Sequence, residues 1–194
     1  MEKATILSIL RTNRTVFSFK DILLSSDESK PALLRRRLSY YIKHNELYSI
    51  RRGLYAKDRS YNTLELAVKI FTPSYVSFET VLAQAGVIFQ YYKQIFVATY
   101  QTKEVMCDGQ TFVFKKLGNS ILTKDTGVEN KENYWIATPE RALLDTIYLN
   151  KDYHFDNLSL LNWDSIFAIL PIYDNKRMIK KINEYYQNFK SSQK

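Results

Sequence analysis

The chain has 194 residues, 45% hydrophobic and 25% charged, a balance that excludes a disordered chain and suffices for one ordinary domain or two small ones. Its 28 Lys and Arg against 20 Asp and Glu leave a net charge of +8, which favours an anionic partner, nucleic acid first and an acidic membrane surface second. One cysteine, Cys107, excludes an intrachain disulfide, and two histidines, His44 and His154, make a zinc site unexpected.

The charge is concentrated. Residues 1–58 hold 12 basic and 6 acidic side chains, whereas residues 59–194 hold 16 and 14. The first residues are too weakly patterned for a secretory signal, and the best apolar run, 166–173, is broken by Pro171. The expectation is a cytoplasmic protein with no membrane partner.

In chain order, residues 1–12 read as a first helix with Ala4, Ile6, Leu7, Ile9 and Leu10 on its inner side. A turn follows, with Val16 or Phe17 as a short extended piece. Ser18 to Asp21 matches a helix start, and the second helix runs through Ile22, Leu23 and Leu24. Residues 25–30 form a turn whose Asp27 and Glu28 suit the positive end of the next helix. That third helix begins at Pro31, where the missing N–H costs nothing. Leu34, Leu38, Tyr41 and Ile42 recur on one face. Arg36, Ser39, Tyr40 and Lys43 occupy the opposite face, with Arg35 and Arg37 at its flanks.

The third helix ends near His44 and Asn45. Two short runs follow, 47–50 and 54–56, joined by Arg51-Arg52-Gly53, in which Gly supplies positive φ. A helix with a basic outer face and a hairpin with a basic tip together read as the head of a winged helix-turn-helix. A run of three arginines is usually a solvated helix face. Here Tyr and Ser interleave with it, the hairpin tip is basic too, and two helices precede it, so DNA binding is favoured. Arg36, Ser39, Tyr40 and Lys43 are expected to face the major groove, where an arginine on guanine is worth about 1–3 kcal/mol of discrimination. Lys30, Arg35 and Arg37 are expected on phosphates, and Arg51 and Arg52 on backbone or minor groove.

Residues 58–62 read as a linker, which divides the chain into a winged helix-turn-helix domain, 1–58, and a second domain, 63–194. The second domain opens on an apolar-periodic segment ended by Pro73. Ser77 is expected to cap a helix over 78–84, closed by Gly86. Ile95, Val97 and Thr99 then alternate as a strand, and the runs 105–107 and 111–114 flank Asp108-Gly109, a strong hairpin signal. Ile121 and Leu122 suggest another strand, followed by a polar loop over 123–133. Thr138 caps a helix whose first residues are Pro139 and Glu140. Two further helices are expected, 163–170 and 175–189. The predicted class is α+β: a winged head, then a mixed α+β domain with a small antiparallel sheet and C-terminal helices.

Catalysis has little support. Asp145 and Glu140 could be named as an acid pair, but no phosphate loop, metal-spaced set or nucleophile elbow accompanies them. The expectation is a protein that is not an enzyme and uses no cofactor.

Two stretches carry a family resemblance. RRRLSYYIKHNELYSIRRGLYAK (35–57) is similar to the recognition helix and wing of the AbiEi family, antitoxins of bacterial type IV abortive-infection systems, and WIATPERALLDTIYL (135–149) resembles that family's A-T-P-E-[KR]-A-L-x-D element. YVSFETVLAQAGVI (75–88) matches more loosely, with Ala85 standing where the family often has His. The resemblance implies a repressor that binds inverted repeats in double-stranded DNA of its own promoter. It also implies a second domain that counteracts a nucleotidyltransferase toxin, a functional partner whose direct contact is not assumed. The alternative is a stand-alone winged-helix regulator, or an interaction module that binds protein or RNA.

Overall fold

The computed structural model describes residues 11–26 and 30–192. The expected first helix, apart from residues 11 and 12, and the turn acids Asp27 and Glu28 lie outside the described residues. The described residues form an α+β protein with eight α-helices and two sheets. They divide into two compact units: residues up to Thr72 together with Cys107–Gly109, and Pro73–Met106 together with residues from Gln110 onward.

The first unit opens on strand β1 (Val16–Ser18) and helix α1 (Phe19–Ser25). A capping box starts α1: the Asp21 amide donates to Ser18 Oγ (3.0 Å) and the Ser18 amide donates to Asp21 Oδ2 (2.9 Å). Helix α2 (Pro31–Lys43) has Pro31 in its first turn. It ends where Asn45 takes φ +58°, while the Asn45 and Glu46 amides donate to the Ile42 and Tyr41 carbonyls, a Schellman closure. Leu34 and Leu38 are buried with Phe17, Ile22 and Leu47, and Tyr41, Ile42 and Tyr55 pack against them. The apolar face expected from the spacing of α2 is therefore the face that builds this core. Strands β2 (Tyr48–Arg51) and β3 (Leu54–Ala56) form an antiparallel hairpin turning through Gly53 at φ +83°, and β1 pairs on the far side of β3.

Helix α3 (Thr63–Ile70) also belongs to the first unit, although the sequence reading sets it beyond a linker. Its Glu65 is buried and accepts from the amides of Thr15 (2.8 Å) and Val16 (2.9 Å) and from the Thr15 hydroxyl (3.0 Å). Lys69 pairs with Asp21 at 2.6 Å. These polar ties to β1 and α1 are long-range and leave no periodicity to read.

The second unit contains β4 (Ser74–Val76), α4 (Glu79–Gln84), β5 (Ile95–Thr99), β6 (Lys103–Cys107, its last residue counted with the first unit), β7 (Gln110–Lys116), α5 (Asn119–Leu122), β8 (Val128–Lys131), β9 (Tyr134–Ala137), α6 (Pro139–Leu149), α7 (Trp163–Ile169), a 3-10 turn (Leu170–Tyr173) and α8 (Lys176–Ser192). Its sheet has six strands in the order β6-β7-β5-β4-β9-β8. It is mixed: β5 runs parallel to β7 and β4 parallel to β9, while β4 and β5, and β8 and β9, are antiparallel. This corrects the expected small antiparallel sheet. The hairpin signals report local antiparallel neighbours only, whereas parallel pairs join distant segments.

Three local expectations also change. Ile121 and Leu122 are buried in the helical turn α5 rather than in a strand. The loop expected over 123–133 contains β8. Ser77 is not a cap: the cap position of α4 is Phe78 at φ +56°, and the Ser77 hydroxyl is used elsewhere. Thr138 does cap α6, accepting from the Arg141 amide. Helix α6 is buried along most of its length, with α4 and α7 packed on it.

Candidate nucleic-acid interface

Helix α2 presents Arg36, Ser39, Tyr40 and Lys43 to solvent, as the face opposite Leu34 and Leu38 requires. Arg36, Tyr40 and Lys43 are four and three residues apart and lie in one row. The Ser39 hydroxyl donates to the Arg35 carbonyl (2.9 Å), so it meets a ligand as an acceptor. Tyr40 is 56% exposed, and its ring lies on His44, with centroids 4.0 Å apart. His44 Nδ1 lies 2.8 Å from the Tyr40 carbonyl, which fixes the imidazole at the end of the row. Arg35 is exposed but laid over the Phe19 ring at 4.9 Å, while Arg37 is half-buried. Lys30 is exposed at the N-cap of α2 and offers no side-chain cap. From Pro31 to Lys57 the sequence has seven Lys and Arg and one acid, Glu46, so no carboxylate on α2 offsets the row.

The hairpin carries Arg51 and Arg52, both exposed. Burial pushes the pKa of the Cys107 thiol up, and the positive charge of Arg51 pulls against it. Two groups escape the sequence reading. His44 is aligned with Tyr40, and Arg59 lies over the Tyr48 ring at 5.3 Å. An i, i+4 aromatic pair could have suggested His44. Arg59 lies in the stretch read as linker, where composition gives no direction to a side chain.

The W-I-A-T-P-E-R-A-L-L-D stretch has a different character. Arg141 and Asp145, one helical turn apart on α6, are each fully buried and paired, Nε to Oδ1 at 3.2 Å. Asp145 also accepts from the hydroxyls of Tyr75 (2.9 Å), Ser77 (2.8 Å) and Tyr173 (2.6 Å). Arg141 donates further to the carbonyls of Thr126 (2.9 Å) and Ile121 (2.9 Å) and to the Tyr75 hydroxyl (3.0 Å), with the rings of Tyr75 and Tyr173 about it at 5.5 and 5.4 Å. Burial pushes the Asp145 carboxyl above its ordinary range, against the pull of Arg141 and the three hydroxyls. Glu140 accepts from the Asn162 amide at 3.0 Å, which ties the start of α7 to the start of α6. The motif is thus the polar centre of the second unit, and its groups are engaged within the fold. Arg141 also holds the segment from Ile121 to Thr126. That segment walls an open pocket of about 330 Å³ with Pro73, Tyr75 and the half-exposed Trp135.

Among the described residues, no group of three or more His, Cys, Asp or Glu is placed to hold a metal ion, and no helix is long and apolar enough to cross a membrane. No protein-family model matches the chain, and no curated protein matches it.

Proposed function

We propose that the N-terminal part of the chain is a winged helix-turn-helix that reads duplex DNA, with α2 as the recognition helix and the β2–β3 hairpin as the wing. The observation that carries this reading is the row Arg36, Tyr40 and Lys43: exposed, in register along one helix and without a carboxylate on that helix. A major groove admits such a helix, and Arg36 and Lys43 suit guanine O6 and N7. Lys30, Arg35, Arg37, Arg51 and Arg52 supply phosphate contacts. Five of these correspond to a salt slope of roughly 4.5 per head.

By its resemblance, the chain is further proposed to be the antitoxin of a type IV toxin–antitoxin pair. It would repress its own operon at inverted repeats and counteract a nucleotidyltransferase through residues 63–194. The test is fluorescence anisotropy on duplex DNA from the gene's own upstream region, titrated at several salt concentrations beside Arg36→Ala/Lys43→Ala. Growth rescue is tested by co-expressing the chain, wild type or doubly substituted, with an induced nucleotidyltransferase encoded next to it. The expected outcome is sequence-preferring binding that the double substitution weakens by at least about 30-fold, from two base contacts of about 1–3 kcal/mol each, with rescue intact. Binding indifferent to sequence or to the substitutions overturns the DNA reading and points to a protein or RNA partner. Failed rescue overturns the antitoxin assignment.

A further inference from the structure

Strand β2 is the strand that leads into the basic turn, and it is an edge strand of four residues, paired only with β3. Its side chains alternate between half-buried and exposed, so burial does little to hold it. Its hydrogen bonds to β3 slip in register between Ser49 and Arg51. Such a strand is a poor support for two arginines that must meet phosphates in fixed geometry.

Asp108, in the first unit's 107–109 turn, supplies the support. Asp108 accepts from the Tyr48 hydroxyl on Oδ1 (2.8 Å) and from the Tyr61 hydroxyl on Oδ2 (2.7 Å). The two phenol rings are stacked, 22° apart in plane, and Arg59 lies over the Tyr48 ring. Tyr48 is the first residue of β2, so the bridge holds the strand at its start.

We infer that Asp108 is a positioning residue for the wing: its carboxylate, bridging Tyr48 and Tyr61, fixes β2 so that Arg51 and Arg52 can reach DNA phosphates. The inference rests on the winged-helix reading above. It makes a prediction opposite in sign to simple electrostatics. An acid among bases repels DNA, so removing its charge should tighten binding if charge is all it contributes. If Asp108 positions the wing, removing the charge loosens it.

Asp108→Asn is the cleaner charge variant, because Asn-Gly keeps the turn preference and tolerates φ of +51°. Tyr48→Phe/Tyr61→Phe is the second variant; it removes both donors and keeps the carboxylate. Each is compared with wild type by anisotropy on the upstream duplex across salt concentrations, and by amide hydrogen exchange at 48–51 without DNA. The expected result in both variants is faster exchange at 48–51, binding about tenfold weaker and a salt slope shallower by about 0.9–1.8, the loss of one or two phosphate contacts. The midpoint of unfolding should not move. Equal or tighter binding by Asp108→Asn, or unchanged exchange in both variants, overturns the inference. If wild type binds no DNA, the winged-helix reading fails separately, and exchange at 48–51 alone decides whether Asp108 holds the strand.

Discussion

Replacing Asp145 by Asn removes one charge from the centre of the second unit with almost no change of shape. The wild-type carboxylate accepts four hydrogen bonds, from Arg141, Tyr75, Ser77 and Tyr173, and both members of the ion pair are fully buried. An amide keeps one oxygen and puts an NH2 group in place of the other, so with the oxygen left on Arg141 the Tyr75 and Ser77 hydroxyls must turn from donating to accepting. The Arg141 guanidinium stays buried without its counter-charge. Breaking a buried pair in this way costs about 3–5 kcal/mol, a large share of the 5–15 kcal/mol or so that holds a typical domain together. The midpoint of thermal unfolding should fall by roughly 10 °C. Urea unfolding followed by far-UV circular dichroism and by tryptophan fluorescence measures the loss directly, with an unchanged m-value as the check on the unfolded state. A companion variant, Arg141→Met/Asp145→Leu, removes both charges. In many proteins that restores stability, but here the Ile121 and Thr126 carbonyls and three hydroxyls would lose their partners, so recovery should be incomplete. A loss below about 1 kcal/mol for Asp145→Asn, or full recovery in the double variant, refutes the reasoning.

Two further expectations concern single positions. Gly127 has φ +75°, and a Cβ there would lie 2.7 Å from Ile169 Cδ1 and 3.0 Å from Arg141 Cβ; Gly127→Ala should therefore cost about 1–3 kcal/mol in urea unfolding, and a neutral result would show that the loop gives way. Burial pushes the Asp21 carboxyl up, but Lys69 and the Ser18 amide outweigh it and hold it below its usual range. Its stabilisation is therefore full above the unfolded value near 3.9 and is lost as pH falls through the lower, folded value. The stability gap between wild type and Asp21→Asn should close over that acidic window, and a gap independent of pH would exclude the carboxylate as its source.

The head of the molecule was legible because its signals are local. Ser18 with Asp21, Pro31, the spacing of Leu34 and Leu38, and Gly53 each act within a few residues, and each does in the structure what its chemistry implies. Asp108-Gly109 and Thr138-Pro139 were readable for the same reason. What escaped is long-range. Strand β4 has three residues, too few for an alternation to register. Ser77 looked like a cap because it precedes a helical run; its hydroxyl is instead drawn to Asp145, 68 residues later. Arg141 and Asp145 showed a helical spacing, yet that spacing cannot distinguish a wet surface pair from a buried one. The distinction lies in Tyr75, Ser77 and Tyr173, none of which is near them in the chain. On the candidate interface, the direction of each basic side chain of α2 followed from its apolar face, whereas the hydrogen bonds of Asp108 to Tyr48 and Tyr61, 60 and 47 residues away, did not.

The parallel pairing of β4 with β9 has a consequence for synthesis. Val76 pairs with Ile136, so β4 has an open edge until some 60 further residues have left the ribosome. At roughly 5–20 residues per second, that interval is on the order of 3–12 s. During it, β4 and β5 form a sheet with one side unfinished, and the hydroxyls of Tyr75 and Ser77 have no carboxylate to meet. An open strand edge of this kind invites pairing with another chain. The short length of β4 limits that exposure, and the arrival of α6, with Asp145 following β9 by less than ten residues, brings the missing strand and the missing acceptor at nearly the same moment.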